Sequence, residues 1–193
     1  VPQLVSHLHL PVQSGSNDIL AKMKRNYSRE EYIEIINKLL KVRPNIKISS
    51  DFIVGFPNET DFDFQQTMDL IEEVKFDASF SFIYSARPGT PASQLEDMIP
   101  LEVKKERLYI LQKRIDKLQL DYSNDLVNTI QRCLVTGVSK KDVNQLQART
   151  ECNRVVNFDF QNINILGKLV DIDITKAYQR SLTGKILNSE GVF

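Results

Sequence analysis

His7-Leu8-His9-Leu10-Pro11-Val12-Gln13-Ser14-Gly15-Ser16 is the stretch whose reading decides the fold. With a period of two, His7, His9 and Gln13 fall on one face and Leu8, Leu10 and Val12 on the other. Two later runs repeat the alternation. Over residues 48–55, Ser49 and Asp51 share a face with Ile53 and Gly55, while Phe52 and Val54 point away. Over residues 79–85, the serines are expected on the inner face and Phe80, Phe82 and Tyr84 on the outer one. Each run stops at a glycine-bearing loop (13–16, 55–59 and 85–90), and helical text lies between them. Three strand–helix units, each with a greasy outer face and a polar inner face, describe part of an α/β barrel. An ordinary packed barrel carries Val, Ile and Leu inward, so Ser, Asp, His and Gln there imply a lumen that holds a polar ligand. A flat sheet with one face in water shows the same alternation. The β-α-β connectivity favours the barrel, because helices then cover the outer face.

Outward from these runs, the spacing predicts a short helix over 16–23 through Ile19, Leu20 and Met23, followed by the basic tip Lys24-Arg25-Asn26-Tyr27. Ser28 and Glu31 form a capping box for a helix that Pro44 ends, with Tyr32, Ile35, Ile36, Leu39 and Leu40 as its stripe. Thr60 caps a third helix with an acidic first turn. After Pro100, the seam Leu108, Leu111, Ile115, Leu118 and Tyr122 predicts a long helix over about 101–127. From Thr129 the text changes to five short β-rich runs, 130–136, 145–149, 154–158, 167–174 and 181–187, the pattern of a small closed all-β barrel. Two domains are therefore expected, 1–122 and 123–190.

The formal net charge is zero, which excludes a global pull toward nucleic acid or membrane. The average hides a split: residues 1–131 hold 16 basic against 19 acidic side chains, and residues 132–193 hold 9 against 6. Eight of these nine basic residues, Lys140, Lys141, Arg149, Arg154, Lys168, Lys176, Arg180 and Lys185, are expected mostly in or beside turns. A solvated surface and an RNA-binding face both explain them. No apolar run approaches the ~20 residues of a membrane span, and no signal peptide opens the chain, so no membrane partner is expected. Without an initiating Met, the chain is expected to be a piece of a longer protein. Cys133 and Cys152 have no metal-ligand spacing, so no metal site is expected, and a reducing cytoplasm is the expected compartment.

The first stretch, together with Asp51-Phe52-Ile53-Val54-Gly55-Phe56-Pro57, Tyr84-Ser85-Ala86-Arg87-Pro88-Gly89-Thr90-Pro91-Ala92 and Arg149-Thr150-Glu151-Cys152-Asn153-Arg154-Val155-Val156-Asn157-Phe158, resembles the radical S-adenosylmethionine methylthiotransferases. The similarity covers nearly the whole chain in order. It implies the back half of a TIM-like radical barrel followed by an OB-like TRAM barrel. It is nearest to the branch that methylthiolates carbon 2 of N(6)-isopentenyladenosine at tRNA position 37. Neighbouring branches act on threonylcarbamoyl-adenosine or on a ribosomal-protein aspartate, and a non-catalytic RNA-binding remnant is a further alternative. The family's cofactors are S-adenosylmethionine and two [4Fe-4S] clusters. Their six cysteines belong to a front half absent from this chain, so the chain alone is expected to be inactive. In the complete enzyme the resemblance implies a 5′-deoxyadenosyl radical that abstracts hydrogen from the substrate carbon. It implies cofactor contacts from Gln13, Ser14, Asp51, Ile53, Gly55 and Arg87, and RNA contacts from Lys24, Arg25, Arg149, Arg154 and Arg180. The implied partners are the tRNA anticodon stem-loop and the missing front half, in a monomeric enzyme. Asn58 stands where the family usually has Gly, and Cys152 replaces a usual Asn.

Overall fold

The computed structural model describes residues 4–140, 142–159 and 163–187. It divides into two compact units, one of residues 8–118 and one built from residue 119 onward with the N-terminal residues up to His7.

In the first unit, β1 (His7–His9), β2 (Lys47–Val54) and β3 (Ala78–Ile83) form a sheet in that order. β2 and β3 are parallel, and beyond β1 a parallel bridge between Gln13 and Phe52 continues the pairing. Around them lie α1 (Asn17–Lys22), α2 (Arg29–Val42), α3 (Asp61–Val74) and the start of α4 (Leu101–Asn124). The helix starts are those the sequence announces. Ser16 caps α1, and capping boxes formed by Ser28 with Glu31 and by Thr60 with Asp63 open α2 and α3. Val12, Phe52, Val54, Leu70, Ile71, Phe76, Leu111 and Ile115 are buried in one core between sheet and helices. Leu8 and Leu10 pack against that core. Tyr27 and Tyr32 donate to the carbonyls of Val12 and Leu10 at 3.1 and 2.7 Å, tying α2 to the first strand's extension.

One face assignment is corrected. Register pairs Asp51 with Phe80 and Ile53 with Phe82, and partners in a sheet point the same way. Phe80 and Phe82 therefore share the inner face with Asp51 and Ile53, and they are 64% and 56% exposed. Ser79 and Ser81 pair with Ser50 and Phe52 on the helix-covered face, where the two serine hydroxyls bond each other at 2.8 Å. The alternation in this run was legible, but its phase was set by the neighbouring strand.

α4 buries Leu111, Ile115 and Leu118 and, at about 1.5 Å per residue, runs roughly 36 Å. It stops at Asn124, not near 127, because turns follow and Asn128 takes a left-handed backbone (φ 63°), its N–H donating to the Ile174 carbonyl.

The second unit is a closed barrel of β4 (Ile130–Val138), β5 (Gln145–Thr150), β6 (Val155–Asp159), β7 (Leu169–Tyr178) and β8 (Ser181–Ile186), in the order β4-β5-β6-β8-β7. β6 and β8 close it through the parallel pairs Val156–Leu182 and Asn157–Thr183. Val135, Leu146, Val156, Phe158, Ile172, Ile174 and Leu182 fill the interior. β7 runs four residues past the expected end because a register shift between Ile174 and Lys176 lets the strand bend and continue. Cys133 lies in this core; burial pushes its thiol up to about 12, and Cys152 adds to the rise. No helix among the described residues is long and apolar enough to cross a membrane.

Candidate functional site

The three strand-end loops meet at one end of the first unit's parallel sheet. There a cleft of about 660 Å³ opens, lined by Gln13, Ile53 and Phe82 from the strand ends and by Phe56 and Tyr84 beside them. Lys22, Lys24 and Arg25 reach it from the end of α1, and Arg87 with residues 90–92 from the third loop. Gln13 is 93% buried and has a left-handed backbone (φ 75°), which breaks the strand alternation. Its N–H donates to the Asp51 carbonyl and its carbonyl accepts from Ile53, so the backbone ladder holds Gln13 at the cleft. The rings of Phe56 and Tyr84 meet edge-on with centroids 4.8 Å apart. The Tyr84 hydroxyl is buried with no hydrogen-bond partner among the described residues. Lys22 pairs with Asp18 at 2.5 Å. Lys24, Arg25 and Arg87 have no carboxylate partner among the described residues. Three unneutralised cations beside an aromatic wall suit a ligand with an apolar ring and a phosphate or carboxylate.

Of the expected cofactor contacts, Gln13, Ile53 and Arg87 come together here, while Ser14, Asp51 and Gly55 do not line the cleft. Ser14 is corrected to an inward-facing residue. It is fully buried, its hydroxyl lies 3.3 Å from that of Thr67, and it accepts from the Ser16 N–H. Beside it Gly15 donates to Thr67 at 2.9 Å, and a Cβ there would lie 2.4 Å from the Gln66 carbonyl oxygen. Gly55 is likewise structural in position. It has φ 66°, a Cβ on it would meet Lys104 Cγ at 2.5 Å, and its N–H donates to Glu59 at 2.8 Å. Asp51 lies two residues along β2 from Ile53 on the inner face, 3.4 Å from His9 Nε2. His9 Nδ1 is 2.9 Å from the Ser49 hydroxyl, and its ring meets Phe80 edge-on.

The loop after β2 is held from α4. Arg107, buried, donates to Glu59 at 2.8 Å and to Asp61 at 2.7 Å. Burial lifts the Glu59 carboxyl above its ordinary range, against the opposing pull of the Gly55 N–H and Arg107. Lys104 is buried against Gly55 and pairs with Asp97. On the other side of the loop, Asp63 accepts from the hydroxyls of Ser16 and Thr60, each at 2.6 Å. Burial raises its pKa, but those hydroxyls and the Thr60 N–H outweigh it and leave the carboxyl below its ordinary range. Arg107 gave no signal in the sequence, since its partners lie more than forty residues away. Phe56 and Tyr84 stood inside quoted motifs and lacked only the geometry.

Lys24 and Arg25, expected at RNA, share the cleft rim with Arg87. In the second unit, Arg149 closes the β5–β6 turn by donating to the Asn153 carbonyl and side chain at 3.0 and 2.8 Å. Arg154 is corrected: it is 8% exposed and donates to Ser123 and Cys152, so its guanidinium ties the β5–β6 turn to the end of α4. Arg180 lines a separate concavity with Lys140, and Lys141 lies outside the described residues. Neither cysteine suits an iron–sulfur cluster, for Cys133 is in the barrel core and Cys152 lies against the Thr150 hydroxyl and Arg154. No trio of His, Cys, Asp or Glu among the described residues could hold a metal ion.

Residues 2–71 match the Radical SAM superfamily and residues 125–187 the TRAM domain. The chain is 59% identical over 184 residues to a tRNA-2-methylthio-N(6)-dimethylallyladenosine synthase of Alcanivorax borkumensis, covering 95% of this chain and 41% of the relative. It is 56% identical to the synthase of the same name from a Marinomonas species, over 98% of this chain and 42% of that protein. For the Histophilus somni protein of that name the figures are 58%, 98% and 40%. The chain thus spans about two-fifths of the length of these relatives.

Proposed function

We infer from its likeness to the Radical SAM superfamily, the TRAM domain and the synthases above that the chain belongs to the radical S-adenosylmethionine methylthiotransferases and works as part of a tRNA-modifying transferase. The proposed reaction is methylthiolation at carbon 2 of N(6)-isopentenyladenosine at tRNA position 37. The observation that carries the reading is the cleft, where Gln13 and Ile53 at two strand ends meet the free cation of Arg87.

When bound, S-adenosylmethionine supplies one-electron chemistry and a methyl group. This chain's residues would bind and orient it. The Gln13 carboxamide, fixed by its backbone ladder, hydrogen-bonds the ribose or the methionyl group. Ile53 offers apolar surface to the adenine, with the Phe56–Tyr84 pair beside it. Arg87 neutralises the cofactor carboxylate or a substrate phosphate, and Lys24 with Arg25 extends that grip along the RNA backbone. Ser14, Gly15 and Gly55 act through position, by letting α3 and α4 close on the loops. Asp51 shares the inner face of the sheet with His9. The iron–sulfur clusters of the family do not fit the residues of this chain, and we assign no step here to them.

The test is a chimera in which this chain replaces the matching C-terminal segment of a relative's synthase, in cells lacking their own. Mass spectrometry of tRNA nucleosides should find the isopentenyladenosine converted to its 2-methylthio form. A folded, accumulating chimera that leaves isopentenyladenosine unmodified would overturn the assignment in favour of an RNA-binding remnant or another substrate.

A further inference from the structure

The outer face of the second unit's barrel holds a concavity of about 450 Å³ that none of the contacts above explains. Two carboxamides stand side by side in it, because Gln147 of β5 and Asn157 of β6 are register partners. Gln147 Nε2 donates to Thr136 at 3.4 Å, whereas the Asn157 carboxamide makes no hydrogen bond among the described residues. Tyr178, 45% exposed, lines the same concavity and has the Lys176 ammonium 4.9 Å from its ring centroid. Lys140 and Arg180 also line it and have no carboxylate partner among the described residues.

Each element answers one part of a nucleotide. A carboxamide offers a donor and an acceptor to a base edge, a tyrosine ring stacks on a base face, and unpaired cations meet phosphate. A base can reach a stacking ring and a side-chain amide together only when it is unpaired. The volume admits one nucleotide and no duplex. We propose that this concavity is a base-reading site for a single unpaired RNA nucleotide, stacked on Tyr178, read by Asn157 and Gln147, and held at its phosphates by Lys140 and Arg180. This rests on the reading of the barrel as RNA-contacting and changes its character, since a phosphate grip alone is indifferent to sequence.

The test uses the 193-residue chain and fluorescence anisotropy with labelled rA7, rC7 and rU7 beside a duplex of equal length, at about 50 mM salt. The chain should prefer single strands and rank the three by about fivefold or more. Tyr178→Leu should weaken all three by about tenfold, with Tyr178→Phe close to the parent. Asn157→Ala should flatten the ranking, and Asn157→Asp, which removes a donor, should reorder it. Lys140→Ala and Arg180→Ala should weaken all three alike and each lower the salt slope by about one. Melting curves identify folded variants, and the two Asn157 substitutions serve as alternates to each other. Equal affinities for the three oligomers, or an unchanged ranking in a folded Asn157 variant, would overturn the base-reading site while leaving a phosphate-binding barrel. No binding to any single strand or duplex would overturn both.

Discussion

Asp63 shows how a single carboxylate serves two helices. It completes the capping box of α3 and accepts the hydroxyl of Ser16, the cap of α1. Removing it in Asp63→Ala should cost about 2 kcal/mol in urea unfolding at neutral pH, the sum of a lost cap and a lost charged hydrogen bond. Its folded pKa is depressed, so its stabilisation is complete above the ordinary carboxylate range and fades as pH falls through the lowered value. The stability gap between the parent and Asp63→Asn should therefore be widest near pH 7 and close in acid. A gap independent of pH would mean that the ionised form is not what the hydroxyls hold. Gly55 is sensitive for a different reason. Gly55→Ala brings a Cβ against the buried Lys104 stem in a left-handed backbone, and should destabilise by about 2 kcal/mol or more.

At the level of elements, α4 does more than carry the chain from one unit to the next. Arg107 neutralises Glu59, whose carboxylate otherwise accepts from the Gly55 N–H, so Arg107→Ala strands a buried carboxylate and should cost about 3–5 kcal/mol. The double variant Arg107→Met with Glu59→Gln should recover much of that loss, because no uncompensated charge remains. Equal losses for single and double variants would show that packing, not charge, holds the loop. This pairing was illegible in the sequence, where Arg107 is one of several cations on a polar helix face. Helix caps were legible, because Ser28 with Glu31 and Thr60 with Asp63 act within one turn. The seam Leu111, Ile115 and Leu118 was legible because it repeats. The phase of β3 was not: its alternation fits two faces, and only the register with β2 chooses between them. Gln13 lines the cleft and its neighbour Ser14 does not, because a positive φ at Gln13 interrupts the period of two.

On the scale of the whole chain, the phase of β3 decides where apolar surface lies exposed. Leu8 and Leu10 of the first strand pack on the core, and it is Phe80 and Phe82 that lie open on the inner face. Such a face beside an edge strand favours association. Phe82→Ser should raise the solubility limit of the 193-residue chain, read by centrifugation across a concentration series, with little change in its melting temperature. A fall in melting temperature of several degrees would show that Phe82 is instead part of the unit's stabilising core.

The cleft is where residue, element and chain converge, and the chimeric synthase tests it most directly. Arg87→Ala removes an exposed cation with no carboxylate partner among the described residues, and Gln13→Asn shortens the carboxamide while keeping a residue that tolerates the left-handed backbone. The decisive measurement is 2-methylthio-isopentenyladenosine formed per folded molecule by these two variants, with the melting temperature taken beside it. If the cleft holds cofactor or substrate, turnover falls by about tenfold or more in each while the melting temperature of Arg87→Ala stays within roughly two degrees of the parent. Parental turnover per folded molecule in both variants, whatever their melting temperatures, would contradict it.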